Sequence, residues 1–278
     1  MRIDPISPTA VIEWARPVLI QAGAYALQVQ QKVGIQPAKE GKRTLFAQAL
    51  TDADLSIQTF VEVAALARYP QLGFFGEEED TSYNMKYFPA SSPYTLLLDP
   101  VDGTRFYMDQ HPNFNLILSL LGPEGLLGAI VHMPGLGQMV FADQDRGAWL
   151  VKGEHTPEPL NLNPSQRLVV TYRFPEAVEK LSPQFHVIDI AQDYDGSRPC
   201  PSVNAIFWGE SCAFLGNHVS LIDWGAMAYI VAQAGGGQTD RQGSPLVLDH
   251  VDPRYRHPTL VASANPEIHQ QILTLLNS

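Results

Sequence analysis

Residues 96–107 read LLLDPVDGTRFY, a run of strand-forming apolar residues that empties into two carboxylates, a glycine and a threonine. Pro100 fixes its own φ and keeps Asp99 out of the helical region, so the chain is expected to turn where the acids stand. Asp99 and Asp102 then face one small volume. Two crowded acids repel and raise a pKa unless a cation lies between them, which points to a divalent metal. Gly103 and Thr104 add little bulk, and a helix opening near Thr104 would place an anion site beside the cation. A metal beside an oxyanion site suggests phosphate. The competing reading is a plain loop, because Asp-Pro and Asp-Gly pairs are common turn formers.

A chain of 278 residues exceeds the usual single core, so one large α/β domain or two closely packed subdomains are expected. Hydrophobic residues make up 45% and charged residues 17%. No run approaches the ~20 apolar residues that cross a bilayer, so the protein is expected to be soluble, without a membrane partner. The first nine residues carry Pro5 and Pro8 and no basic-then-apolar start, which argues against a secretory signal. Cys200 and Cys212 are too few for a disulfide framework and lack metal-type spacing, in keeping with a cytoplasmic location. A net charge of −11 argues against nucleic acid or anionic membranes as partners. An anionic substrate would need cations to recruit it.

Helical spacing of apolar residues predicts a helix over Thr9 to Lys32, with Pro17 bending it or marking a boundary. Thr44 to Leu50 reads as extended, and Thr51-Asp52 as the cap of a second helix from Ala53 to Arg68. Leu72 to Phe75, Leu96 to Leu98, Leu116 to Leu121, Ala129 to Met133, Gln138 to Ala142 and Ala148 to Val151 read as strands. The proline-rich stretch Pro157 to Pro164 suggests a boundary between subdomains 1–156 and 157–278. Beyond it, Leu168 to Thr171 and His186 to Ile190 read as strands around a helix over Pro175 to Leu181. A loop containing Asp193, Asp195, Arg198, Cys200 and Ser202 follows, and later an Asp223-headed helix of small residues ends at Gly235 to Gly237.

Three further acidic features have two readings each. Glu77 to Glu79 follow a strand and a glycine, and serve either as ligands at a strand exit or as an exposed acidic loop. Asp223 is a ligand or an ordinary N-cap. Asp54 is functional, or an acid that the helix dipole favours in a first turn.

Taken together, GEE, then DPVDGT, then an Asp-headed helix ending in AGG resemble the inositol monophosphatase family of metal-dependent phosphatases. That family includes bisphosphate nucleotide phosphatases and some bacterial fructose-1,6-bisphosphatases. TDAD at 51–54, GAIVHMPGLGQMVF at 128–141 and Arg146-Gly147-Ala148 extend the likeness over most of the chain. The resemblance implies an α+β fold, a layered αβαβα sandwich of the inositol monophosphatase and fructose-1,6-bisphosphatase type. It also implies two or three Mg2+ ions. Glu77, Asp99 and the Val101 carbonyl would hold the first, and Asp99, Asp102 and Asp223 the second, with a third near Glu77. Thr104 would position the attacking water, oriented by Asp54, with Glu77 or Glu78 close enough to take part. Asp102, Gly103, Thr104, Arg105 and Ser202 would meet the substrate. A homodimer and sensitivity to Li+ are further implications.

The pattern also departs from the family. Ile222-Asp223 replaces the usual Trp-Asp, and Gln233-Ala234-Gly235-Gly236 replaces Glu-Ala-Gly-Gly. Inositol phosphatases place a sugar-binding glutamate seven residues before the aspartate, and here that position is Gly216. Arg105 stands where bisphosphate nucleotide phosphatases often carry a lysine that can meet a second phosphate, or it is a surface arginine. Two function classes follow. One is a Mg2+-dependent phosphomonoesterase acting on an inositol or other sugar phosphate, with a bisphosphate nucleotide as the alternative substrate. The other is a catalytically silent metal-binding regulatory homologue.

Overall fold

The computed structural model describes residues 6–34, 42–78, 82–196, 200–246, 248 and 256–278. The side chains of residues 33, 34 and 42–51 lie outside the description. The chain forms two compact units, residues 1–146 with 150–157, and residues 147–149 with 158–278.

The first unit opens with two long helices, α1 (Pro8–Gly34) and α2 (Lys42–Arg68). Val11, Ile12, Ala15, Leu19, Ala22 and Ala26 recur at helical spacing and are buried, which is why this stretch is helical. Pro17 lies inside α1 and is no boundary. The second helix corrects an expectation. Residues 44–50 are helical rather than extended, and Thr51-Asp52 lies inside the helix rather than at its start, because KRTLFAQAL has no glycine or proline and continues the helix N-terminally. Asp54 therefore sits in the middle of the helix.

The strands β1 (Gly73–Gly76), β2 (Thr95–Asp102), β3 (Asn115–Gly122), β4 (Gly125–Met133) and β5 (Gln138–Asp143) stand in chain order in one sheet, with α3 (Thr104–Met108) after β2. The β1/β2 pair is parallel and the others are antiparallel. Leu96, Leu97 and Leu98 are all fully buried, the mark of a strand covered on both faces. α1 packs on β3, β4 and β5, and α2 packs on β2. Strand β6 (Gly147–Lys152) is divided between the units.

His132 on β4 is 8% exposed and faces Gly23 of α1, where a β-carbon would lie 2.6 Å from its Nε2. Its Nδ1 stands 3.2 Å from the Gln138 carbonyl, and burial pushes its pKa down to about 4. The folded protein thus binds fewer protons than the unfolded chain between pH 6.5 and 4. The neutral ring's contribution is complete above 6.5 and is lost on acidification, by about 3 kcal/mol at full extent. Urea unfolding at pH 7 and pH 4 is expected to show His132→Asn losing less stability than the parent by about that amount. Equal losses would refute the buried-neutral assignment.

The second unit contains β7 (Glu158–Pro159), β8 (Leu168–Tyr172), α4 (Pro175–Leu181), β9 (His186–Asp189), α5 (Ile190–Asp193) and β10 (Ala213–Ser220). It continues through α6 (Ala226–Gln233), β11 (Gly237–Thr239), β12 (Arg256–Ser263) and α7 (Pro266–Leu276). Its five-stranded sheet has the order β11-β12-β10-β8-β9, parallel across β10, β8 and β9 and antiparallel elsewhere. Phe174, Leu181, Leu215, Val261, Ile272 and Leu276 share one core, so α4 and α7 cover this sheet with their apolar faces.

Candidate functional site

The end of β2 is built by a defect in its ladder. Asp99 pairs with Ile117 and Asp102 with Asn115, so three steps on β2 oppose two on β3 and one residue is extra. Pro100, which has no N–H to give the ladder, lies in that interval. The strand thus continues through both acids instead of turning at them, and the bulge brings a carboxylate oxygen of Asp99 within 4.8 Å of one of Asp102. Asp99 is 4% exposed. The Asn115 Nδ2 donates to Asp102 Oδ2 at 2.5 Å.

Two more acids arrive on the neighbouring strand. The Glu77 N–H donates to the Leu98 carbonyl at 3.1 Å, carrying the β1/β2 ladder one step past Gly76. Glu77 is exposed and Glu78 half-buried, while Glu79 lies outside the described residues. Asp54, half-buried in mid-α2, is a third. The helix dipole does not account for an acid more than three turns into a helix, since its effect fades within the first turn.

The electrostatics follow from this crowding. Burial, then Glu78, then Glu77 push the Asp54 carboxyl up to about 8. Burial and Glu77 raise Glu78. Burial raises Asp102 to about 6, with the Asn115 amide lowering it, Glu77 raising it and the Gly103 N–H lowering it. Carboxylates that hold one another's protons in this way fit a divalent ion, and an all-oxygen donor set suits Mg2+ rather than a softer metal.

Gly103 follows in the left-handed region (φ 84°), a conformation that favours glycine. A β-carbon there would also lie 3.0 Å from the Asn113 carbonyl. Thr104 and Arg105 are exposed on the first turn of the five-residue α3. Tyr107 moors that helix, its hydroxyl donating to the Ala26 carbonyl at 2.9 Å and its carbonyl accepting from Gln30 Nε2 at 3.0 Å. α3 also packs against α2, the helix that carries Asp54. Val101 is 2% exposed.

In the second unit Asp223 is not the N-cap of a helix. It sits within a π-turn, Leu221–Gly225, that precedes α6, and Ser220 occupies the cap position. The Ser220 hydroxyl donates to Asp223 Oδ1 at 2.7 Å, and the Trp224 N–H donates to the same oxygen. Trp224 is 7% exposed and packs edge-on to Phe214 at 5.5 Å, with Tyr172 at 5.9 Å. Its ring also covers Gly216, where a β-carbon would lie 2.8 Å from Trp224 Cζ3 and 2.6 Å from Val219 Cγ1. Ser202 is 4% exposed and its hydroxyl caps the turn Val203–Trp208 by accepting from the Asn204 N–H. Arg198 lies outside the described residues. Burial pushes both cysteine thiols up to about 11, so they are protonated at neutral pH.

Asn115, Gln58, Glu62 and Trp224 belong to none of the motifs legible in the sequence. Asn115 is a polar residue heading an apolar strand. Gln58 and Glu62 stand four apart among inward-facing Ile57 and Val61, and an amide and an acid on the buried side of a helix are the signal.

Residues 11–278 match the family model described as the inositol monophosphatase family. The inositol-1-monophosphatase of Caulobacter vibrioides is 24% identical over 253 residues, 88% of this chain and 91% of that protein. The histidinol-phosphatase of Chlorobaculum parvum is 24% identical over 206 residues, 72% of this chain and 75% of that protein. The crystal structure of the extragenic suppressor protein suhB from Bartonella henselae superposes with a TM-score of 0.71 at 16% identity, covering 97% of this chain and 99% of that one. At such identity the superposition shows the fold, which is the layered α+β class implied by the sequence.

Proposed function

Because the chain belongs to the inositol monophosphatase family, a family of phosphoric monoester hydrolases, we propose that it is a Mg2+-dependent phosphomonoesterase. Its substrate is a small phosphorylated metabolite, an inositol monophosphate or another sugar phosphate. The observation that carries this reading is the bulged end of β2, where Asp99 and Asp102 converge beside the mutually repelling Asp54, Glu77 and Glu78.

In this reading Glu77, Asp99 and the Val101 carbonyl would hold one Mg2+, and Asp99, Asp102 and Asp223 a second, with a third ion near Glu77. Bound there, the ions supply an acidified water and neutralise charge on the phosphate and the departing alkoxide. The protein's own groups do the rest. In this reading the exposed Thr104 hydroxyl would orient the attacking water, with Asp54, on the helix α2 that packs against α3, as its partner. The Gly103 N–H is engaged with Asp102 and holds that carboxylate in place, and in this reading the Thr104 N–H would steady the phosphoryl oxygens. The Ser202 hydroxyl supports the substrate side by capping its turn.

Arg105 favours a second substrate reading, a 3′(2′),5′-bisphosphate nucleotide, because an exposed guanidinium one residue past Thr104 can pair with a second phosphate. A homodimer, a cytoplasmic location and inhibition by Li+ belong to the same proposal. Phosphate release from inositol phosphates, fructose 1,6-bisphosphate and a bisphosphate nucleotide, with and without Mg2+, tests it. Release from at least one of them that needs Mg2+ is the expected result. A folded protein inert toward the whole panel would favour the silent regulatory homologue instead.

A further inference from the structure

Glu62 is a carboxylate with no exposure at all, on the buried side of α2, and the reading above gives it no task. Its partners account for both oxygens. Oε1 accepts from Gln58 Nε2 at 3.0 Å, and Oε2 accepts from the Ser82 hydroxyl at 2.8 Å and from Asn84 Nδ2 at 2.9 Å. Because a carboxylate only accepts, it commits the Gln58 side chain to present its NH2 group to Glu62. The opposite end of that amide, Oε1, then accepts from the Glu78 N–H at 3.0 Å. Gly76 closes the arrangement. A β-carbon there would lie 2.1 Å from Gln58 Oε1, so the bare backbone lets the amide reach the strand exit.

The geometry points to Glu62 as a positioning residue that clamps both ends of the acidic segment. One end is held through Gln58 at Glu78, the other directly at Ser82 and Asn84. Glu77 and Glu78 follow Gly76 directly, and each is tied by its backbone, the Glu77 N–H to the Leu98 carbonyl and the Glu78 N–H to Gln58 Oε1, so the tether at Glu78 fixes where the proposed ligand Glu77 stands. The clamp holds them converged before a cation arrives. It thus sets how tightly Mg2+ is held, not how fast the loaded site turns over. This inference rests on the proposed metal-dependent activity for its kinetic consequence, but the clamp itself is testable without it.

Glu62→Gln is nearly isosteric, yet it replaces one acceptor oxygen by an NH2 group where Gln58, Ser82 and Asn84 all donate to Glu62. Gln58 must then rotate and offer an N–H to the Glu78 N–H, or Ser82 and Asn84 must lose their acceptor. Gln58→Met, which keeps the volume and removes the relay, is the companion variant should Glu62→Gln fail to fold. Three measurements apply: amide hydrogen exchange at Glu78, calorimetric titration with Mg2+, and the Mg2+ dependence of phosphate release. Faster exchange at Glu78 and roughly tenfold weaker Mg2+ binding are expected, as when a group supporting a metal ligand is lost. The kcat at saturating Mg2+ is expected to stay within about threefold of the parent. Unchanged exchange at Glu78 together with an unchanged Mg2+ isotherm, in either folded variant, would overturn the inference. If the parent protein binds no Mg2+, the proposed function fails instead, and the exchange measurement still decides whether the clamp exists.

Discussion

Asp102→Asn is expected to lower phosphate release by about 1000-fold or more without unfolding the protein. Asparagine keeps the shape, and its amide oxygen can still accept from Asn115, so the bulge survives. What disappears is a negative charge in the proposed Mg2+ site, and about 4 kcal/mol of lost transition-state stabilisation corresponds to that factor. Stability separates this from simple damage. Folded Asp102, raised to about 6, binds more protons than the unfolded chain between pH 3.8 and 6. Its contribution is therefore complete below about pH 4 and is lost as pH rises through 6, which leaves the ionised carboxylate unfavourable at pH 7. The metal-free variant is thus expected to melt at or above the parent at pH 7. Mg2+ should raise the melting temperature of the parent and leave that of the variant nearly unchanged. Calorimetry with and without Mg2+, beside a phosphate assay, measures both. Full activity in Asp102→Asn would remove the aspartate from the mechanism.

The second large effect concerns Gly216, where inositol phosphatases carry a glutamate. Restoring that residue by Gly216→Glu is expected to destabilise the protein and to gain nothing on inositol monophosphates. The β-carbon alone would meet Val219 Cγ1 at 2.6 Å and the Trp224 ring at 2.8 Å. Overpacking of this kind costs about 1–3 kcal/mol, and bringing a carboxylate against an aromatic cluster adds to it. For a chain of this length, roughly 3 kcal/mol lowers the melting temperature by about 10 °C. The Trp224 backbone N–H also donates to Asp223, so a shift of this residue to make room would disturb a proposed ligand as well. A variant that melts like the parent and hydrolyses inositol monophosphate faster would show that the space is open and that specificity turns on this one position.

How far the sequence alone carries depends on which physics each segment obeys. The strand before the acids, the glycine after them and the helix over Pro175–Leu181 are local matters of periodicity and turn chemistry, and the structure has them. An Asp after a Thr looks like a cap, which in sequence places the start of α2 too late. Only the unbroken helical backbone through 42–50 shows that Asp54 is interior and half-buried, which leaves the dipole no part in explaining it. Pro100 suggests a turn at the acids themselves. The ladder resumes at Asp102 after a one-residue bulge, a register event that Pro100 permits but that only the pairing with β3 reveals. Asp223 resembled an N-cap, but a π-turn draws Ser220 into that place, and nothing in the run LIDWG distinguishes the two. Glu62 and Gln58 could have been noticed as polar residues on an apolar face. Their partners Ser82 and Asn84 lie some twenty residues away, beyond any periodicity.

The most direct test is calorimetric titration of the metal-stripped protein with Mg2+ at pH 7, run on the parent and on Asp99→Asn. Saturable binding in the parent that is abolished in the variant is the predicted result, because the buried Asp99 is the carboxylate proposed to touch two ions. Superimposable isotherms would contradict it and leave the acids at the end of β2 without a cation to hold.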